Sequence, residues 1–252
     1  MAVVLEGRCR VTSFREGTPH SAGSLKIWPQ VGRTVSAQAI SLRTLEFAPG
    51  LSPGLRNHAC DEVLYVLAGQ GTLLLDGHAY ALEPETGIYI RPQQTFAIAN
   101  PQAEPLVLIS SQCPEPEQES ELVDAITTPT NEPLEHSPLV RLADRKAIPT
   151  ADRWYRVLVD AAVGSQQVTQ FVGSIPPGRA PDHFHHYEEV LFILRGEGRM
   201  WAGQTNTPIA AGSCIFLPQR QIHCVENTGV GELRLLGVFY PAGSPAVRYA
   251  AE

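Results

Sequence analysis

The chain has 252 residues, 43% hydrophobic and 18% charged, a composition that supports a packed core and excludes an intrinsically disordered protein. The formal net charge of -7, with no basic patch, argues against nucleic acid as a partner. This length allows one large domain or two of ordinary size. Uninterrupted apolar runs are only a few residues long, so we expect no membrane-spanning segment and no membrane partner.

The first residues, MAVVLEGRCR, combine a four-residue apolar run with charges, which is unlike a secretory signal peptide. We therefore expect a cytoplasmic protein. The cysteines are odd in number, widely separated and without a CxxC pair, so they indicate neither a disulfide scaffold nor a zinc ribbon. They are Cys9, Cys60, Cys113, Cys214 and Cys224.

Short runs rich in Val, Ile, Leu, Thr and Phe follow one another along the chain, and 21 Gly and 21 Pro supply turns between them. In chain order the runs are VLYVLAG, GTLLLDG, IYIRP, PLVLIS, WYRVLVD, QQVTQFVGSI, VLFILRG, CIFLP and LRLLGVFY. This pattern predicts an all-β sandwich or barrel. No long segment has a helical period, and the best helix candidate is 117–126.

The chain also repeats itself. The segment PGLSPGLRNHACDEVLYVLAGQG, 49–71, matches PGRAPDHFHHYEEVLFILRGEG, 177–198. The offset is 127 residues through most of the match, 128 upstream and 126 downstream, as single-residue loop differences produce. A block of ordered matches at nearly constant offset predicts a duplicated domain.

A polar segment separates the two repeats. Residues 92–140 contain eight acidic residues and no Lys or Arg, and the centre of this stretch is rich in Pro. We therefore expect a first domain at 1–113, an acidic linker at 114–137 and a second domain at 138–252. A helical turn or two is compatible with the linker sequence.

The second repeat holds side chains suited to metal chemistry. His183 and His185 alternate along a strand and therefore point to one face. Glu189 opens the next strand segment and His223 lies on a later strand. If these segments face each other inside a barrel, three imidazoles and one carboxylate converge on one divalent transition metal, such as Fe, Mn, Ni, Zn, Cu or Co. Two or more coordination positions then stay open for water, substrate or dioxygen.

These spacings resemble the two motifs of the cupin superfamily, and the duplication resembles a bicupin. The motifs, Gly-x5-His-x-His-x3,4-Glu-x6-Gly and Gly-x5-Pro-x-Gly-x2-His-x3-Asn, are matched at His183, His185, Glu189, Gly196, Gly212, Pro218, His223 and Asn227. Gly178 lies one residue closer to the first histidine than the motif expects, and Arg220 replaces a glycine. The resemblance implies two tandem cupin-type β-barrels, the double-stranded β-helix or jelly roll.

The first repeat has lost most of the motif. An offset of 127 aligns Arg56, His58 and Phe96 with the three histidines of the second repeat and keeps Glu62. We expect no metal there, with Arg56 paired to Glu62. The alternatives are Cys60 as a substitute ligand, a carboxylate-binding pocket built on Arg56, or a barrel kept for packing and dimer geometry.

The resemblance implies a metal-dependent enzyme acting on a small organic molecule. Cupins include dioxygenases, decarboxylases, isomerases, hydrolases and storage proteins, and among these we favour a dioxygenase in which Glu189 is both ligand and catalytic proton relay. The alternatives are a redox-neutral isomerase or hydrolase similar to ureidoglycine aminohydrolase, and a metal-containing binding protein without turnover. We expect Leu191 or Ile193 in the pocket wall. A homodimer is compatible with the family, although a bicupin can satisfy its sheet edges within one chain.

Overall fold

A computed structural model describes residues 1–130, 136–247 and 249. Within these ranges the chain forms β-strands and four short 3₁₀ helices, and no α-helix. The 3₁₀ helices are Glu6–Arg8, Arg33–Val35, Leu142–Asp144 and Ala161–Val163. The described residues therefore confirm the all-β prediction, and none of their helices is long and apolar enough to cross a membrane.

The strands before residue 130 build most of a first barrel, except β1 (Val3–Val4) and β2 (Arg10–Ser13), which belong to a sheet of the second. The others are β3 (His20–Ala22), β4 (Leu25–Val31), β5 (Leu42–Phe47), β6 (Gly50–Leu51), β7 (Gly54–Arg56), β8 (Asp61–Ala68), β9 (Gly71–Leu75), β10 (His78–Leu82), β11 (Thr86–Ile90), β12 (Thr95–Asn100), β13 (Leu106–Cys113) and β14 (Glu121–Val123). Their sheets run in the orders β15-β11-β8-β13-β5-β4-β3, where β15 is Leu139–Arg141, and β10-β9-β12-β7-β14, with β6 also on β12.

The later strands build a second barrel of the same design. They are β16 (Ile148–Thr150), β17 (Arg153–Val159), β18 (Thr169–Ile175), β19 (Gly178–Arg179), β20 (Glu188–Arg195), β21 (Glu197–Ala202), β22 (Thr205–Ala210), β23 (Ser213–Leu217), β24 (His223–Asn227) and β25 (Leu233–Tyr240). The sheet orders are β1-β2-β23-β20-β25-β18-β17-β16 and β19-β24-β21-β22.

The described residues form three hydrophobic cores, because several strands are buried on both faces. Alternate residues of β8 show this, because Leu64 and Val66 enter the core inside the first barrel while Val63 and Tyr65 enter a core shared by the two barrels. In the second barrel, Phe192 of β20 enters the shared core and its neighbour Leu191 enters the second barrel. The large sheets of the two barrels therefore pack face to face.

Each barrel takes an edge strand from the other half of the chain. Strand β2 pairs with β23 of the second barrel, and β15 pairs with β11 of the first. These pairings cover the edges of β11 and β23 within one chain and leave the short strands β15 and β1 at the ends of the two large sheets, which limits pairing with other molecules. The domain bounds 1–113, 114–137 and 138–252 stay predictions.

The expected helix at 117–126 is wrong. Strand β14 lies in this segment and pairs with β7, from Glu121 opposite Arg56 to Val123 opposite Gly54. An isolated helix of about ten residues is marginal in water. Pairing with an available sheet edge therefore stabilises the extended backbone instead, and part of the presumed linker belongs to the first barrel.

Candidate metal centre

Three histidines of the second barrel lie together. His183 forms an isolated antiparallel bridge with His223, with N···O distances of 3.1 and 2.8 Å between their backbones. His185, two residues after His183, lies on the same face. The ring centroids are 4.5 to 5.4 Å apart, and one candidate ligand nitrogen of each ring lies within 4.8 Å of the others.

Backbone carbonyls orient two of these rings. The Nδ1 atom of His183 lies 3.0 Å from the carbonyl oxygen of Pro181, and Nδ1 of His223 lies 2.8 Å from that of Gln221. A carbonyl oxygen can only accept, so Nδ1 must carry the proton in both rings and Nε2 keeps its lone pair. This tautomer is the one that binds a metal through Nε2.

Glu189 lies beside this group of nitrogens rather than in it. Its carboxylate oxygen is 3.5 Å from Nε2 of His185, and both side chains are buried. The ring of His185 stacks on Tyr187 with a centroid distance of 4.9 Å, which fixes its orientation. Of the four predicted ligands, the structure therefore brings three imidazoles together and places the carboxylate next to one of them.

Burial keeps the site in uncharged forms. It lowers the pKa of His223 to about 3, with a further contribution from His183, so this imidazole is neutral at pH 7. Burial also raises the pKa of Glu189 to about 8. Neutral imidazoles with a carboxyl group that can release its proton suit a divalent transition metal, whose charge would replace that proton.

A cavity of about 110 Å³ adjoins the histidines. Apolar and aromatic residues form most of its wall, and Leu191 belongs to it as predicted, whereas Ile193 is buried outside it. The lining residues that the sequence did not reveal include Arg153, Trp154, Tyr155, Phe171 and Leu235. No local motif marks them, because their position depends on the pairing of β17, β18 and β25.

The departure from the motif at Arg220 leaves the turn intact. Arg220 has a φ of 61°, a left-handed conformation that glycine adopts more readily. Its backbone N–H donates to the carbonyl of His185 at 2.7 Å. The residue type therefore differs from the motif while the backbone geometry next to a ligand is retained.

The equivalent positions in the first barrel follow from backbone pairing. Leu55 lies opposite Phe96, as His183 lies opposite His223. The N–H of Gln93 donates to the carbonyl of Asn57, as that of Arg220 donates to His185. The histidine positions are therefore held by Leu55, Asn57 and Phe96.

The alignment of Arg56 and His58 with the first two histidines is wrong. The offset between the two repeats is 128 residues through β7 and changes to 127 only before Glu62. The alignment at 127 was therefore shifted by one residue in β7, and a one-residue shift in a strand moves a side chain to the other face. Arg56 donates to Thr95, and His58 contacts Glu121 at 3.0 Å; both side chains are at least one-third exposed. Neither enters the barrel's ligand positions.

The predicted pair between Arg56 and Glu62 is also wrong. Glu62 is fully buried and binds Arg43 at 2.6 Å, with a further hydrogen bond from Ser110 at 2.6 Å. A guanidinium thus supplies the positive charge beside this carboxylate. Burial raises the pKa of the Cys60 thiol to about 12. Among the described residues, Cys60 belongs to no group of side chains placed to hold a metal.

Sequence comparison finds short matches to curated proteins. The chain is 32% identical over 83 residues to auxin-binding protein 1 of Arabidopsis thaliana, covering 29% of this chain and 42% of that protein. It is 38% identical over 66 residues to the oxalate-binding protein of Thermotoga maritima, covering 25% of this chain and 54% of that protein. The matches thus span about half the length of these relatives.

Structure comparison finds the same fold over nearly the whole chain. Oxalate decarboxylase from Bacillus subtilis superposes with a TM-score of 0.74, covering 92% of this chain and 76% of that one at 14% identity. The cupin domain family matches residues 43–111 and 171–239, which together exceed half of the chain and include both repeats. The chain therefore belongs to the cupin family and contains two tandem cupin barrels.

Proposed function

We propose that this protein is a metal-dependent enzyme acting on a small organic molecule, with one divalent transition metal held by His183, His185, Glu189 and His223. The observation that carries the proposal is the convergence of three imidazole nitrogens on the wall of a cavity. When bound, the metal supplies Lewis acidity and, for a redox-active ion, electron transfer.

The adjoining cavity favours an enzyme over a purely structural metal site. A structural site encloses its ion with four protein ligands, whereas a catalytic site leaves a position open. Here the three histidines form part of the cavity wall, and His183 is only half-buried. A small molecule in the cavity can thus reach the histidine nitrogens.

Glu189 is proposed to move a proton as well as to bind the metal. It lines the cavity beside the histidines, with a carboxylate oxygen 3.5 Å from Nε2 of His185, so it lies close to a substrate held in the cavity. Its neighbour His185 is fixed by stacking on Tyr187. The carboxyl group is therefore held beside the ligand nitrogens in a defined position.

Oxygen-dependent, dioxygenase-type chemistry is the first candidate reaction. The cavity wall contains the rings of Trp154, Tyr155 and Phe171, together with Leu191 and Leu235. These side chains exclude water and suit an apolar or aromatic substrate and dioxygen. Substrate orientation would depend on them, while proton transfer would depend on Glu189.

A redox-neutral reaction on a small carboxylic acid is the second candidate. Arg153 lines the same cavity and is mostly buried, and a guanidinium binds a carboxylate in two-point fashion. A carboxylic acid substrate is consistent with the names of the relatives. These are an oxalate-binding protein, an auxin-binding protein and an oxalate decarboxylase. The third candidate function is a metal-containing binding protein without turnover.

An oxygen electrode separates these candidates. The metal-loaded protein is screened with catechols, flavonols, keto acids and dicarboxylic acids while oxygen uptake and products are followed. Oxygen uptake that disappears in a His183→Ala/His185→Ala variant supports the dioxygenase. Product without oxygen uptake, lost in the same variant and weakened in Arg153→Met, supports the redox-neutral reaction. Metal-dependent binding without product would contradict the enzyme proposal.

A further inference from the structure

The first barrel contains a larger cavity than the second, of about 430 Å³. It lies at the corresponding place, because its lining residues Ile27, Arg43 and Leu55 precede the lining residues Tyr155, Phe171 and His183 of the second barrel by 128 positions each. The interior position that holds the candidate metal centre in one barrel is thus an open space in the other.

A hydrogen-bonded polar cluster forms one side of this cavity. Arg43 is held by the buried pair of Glu62 and Ser110. The Gln112 amide donates to Asn57 at 2.6 Å and to Ser120 at 3.0 Å. Three of these side chains, Arg43, Gln112 and Ser120, line the cavity. They are therefore fixed in orientation before a ligand arrives, which lowers the entropic cost of binding.

Apolar side chains form another part of the cavity wall. Leu25, Ile27 and Val31 contribute to it from β4, Leu55 from β7 and Leu122 from β14. A cavity of this size with apolar walls and a few convergent polar groups is the usual form of a small-molecule site. A barrel kept only for packing would fill such a space with side chains.

The charges around the cavity select the ligand. Glu62 already neutralises Arg43. At the rim, the strap of residues 115–120 contributes Glu115, Glu117 and Glu119, against Arg33 and the ionisable His20. The Arg33 guanidinium donates to strap carbonyls, so it closes the rim rather than facing a ligand alone. The excess of carboxylates disfavours an anion.

We infer that the first barrel is a second binding site, for a small uncharged organic molecule with hydroxyl or amide groups. The ligand's polar groups would hydrogen-bond to Arg43, Gln112 and Ser120, which offer both donors and acceptors. Its apolar groups would pack against the leucines and Ile27. This site is independent of the metal and of the reaction proposed for the second barrel.

Three probes with the same branched four-carbon skeleton and different charge test the inference: isobutyramide, isobutyrate and isobutylammonium, each measured by ligand-observed NMR on the full chain. The amide should bind, and isobutyrate should bind at least about tenfold more weakly because of the acidic rim. Ala22→Trp fills the cavity from half-buried Ala22, which lines it, and should abolish amide binding. His183→Ala, in the other barrel, should leave it unchanged.

Thermal unfolding and metal content check that Ala22→Trp leaves the rest of the protein intact. If that variant does not fold, Leu122→Trp blocks the same cavity from its exposed side. The inference is contradicted if none of the probes binds, if isobutyrate or isobutylammonium binds more tightly than the amide, or if amide binding survives in the folded, cavity-filled variant.

Discussion

Two buried carboxylates hold equivalent places in the barrels and are accommodated differently. Glu62 binds the guanidinium of Arg43, whereas the neighbour of Glu189 is the imidazole of His185. A buried carboxylate needs either a fixed cation or a proton. In the first barrel the fixed cation is the side chain of Arg43. In the second barrel a proton neutralises Glu189 until a metal replaces it.

The stability of the metal-free protein should reveal this proton. Burial raises the pKa of Glu189 to about 8 in the folded state, from the ordinary 4.5 of an exposed glutamate. The folded state keeps the Glu189 proton between pH 4.5 and 8, whereas the unfolded state has lost it. The contribution of this proton to the unfolding free energy is therefore fully present below pH 4.5 and is lost as pH rises through 8. The lowered pKa of His223 makes stability change with pH in the opposite direction, but only between pH values of about 3 and 6.5.

Between pH 6.5 and 8 we therefore expect chelator-treated protein to lose unfolding free energy relative to Glu189→Gln. The expected difference is on the order of 1–2 kcal/mol. Urea denaturation at the two pH values measures it. Parallel pH profiles for the two proteins would contradict the raised pKa.

Arg43 and Arg56 form a matched pair for testing the corrected register. Arg43→Met leaves buried Glu62 without its cation and should cost about 3–5 kcal/mol of unfolding free energy. Arg56→Met removes a half-buried side chain that lies 3.9 Å from exposed Glu121, and should cost less than about 1 kcal/mol. Chemical denaturation of both variants gives the comparison. Equal losses of unfolding free energy in the two variants, or a larger loss for Arg56→Met, would contradict the corrected register and favour the alignment of Arg56 with His183.

At the scale of the strand, the exchange of β2 ties the amino-terminal segment to the second barrel. Val11 pairs opposite Ile215 and is buried in that barrel's core, whereas Val4 of β1 is 62% exposed. Val11→Ala should therefore lower stability by about 1–2 kcal/mol. Val4→Ala should change it by less than about 0.5 kcal/mol. Thermal unfolding monitored by circular dichroism tests this; equal shifts would argue against the exchanged strand.

Strand content and face alternation were predictable because both depend on local pattern. His183 and His185 share a face in the structure as the two-residue period requires. The extended structure at 117–126 could not be predicted, because it depends on which strand edge is free. The positions of Arg56 and His58 could not be predicted either, because they depend on where an extra loop residue falls. The coincidence of His58 with His185 at an offset of 127 favoured the wrong register.

At the scale of the whole molecule, two similar barrels share a core and differ in their interiors. The second combines histidines with a small aromatic cavity, and the first combines an ion pair with a larger one. The duplication and the histidine motif were visible in the sequence. The cavities were not, since each is lined by residues from strands far apart in the chain.

Metal analysis of the purified, reconstituted chain tests the central claim most directly. The predicted result is about one equivalent of transition metal per chain, since Leu55, Asn57 and Phe96 replace the histidines in the first barrel. The His183→Ala/His185→Ala variant should fall far below one equivalent while keeping its β-sheet circular dichroism. Stoichiometric metal in that variant, or two tightly bound equivalents in the unmodified chain, would contradict the account.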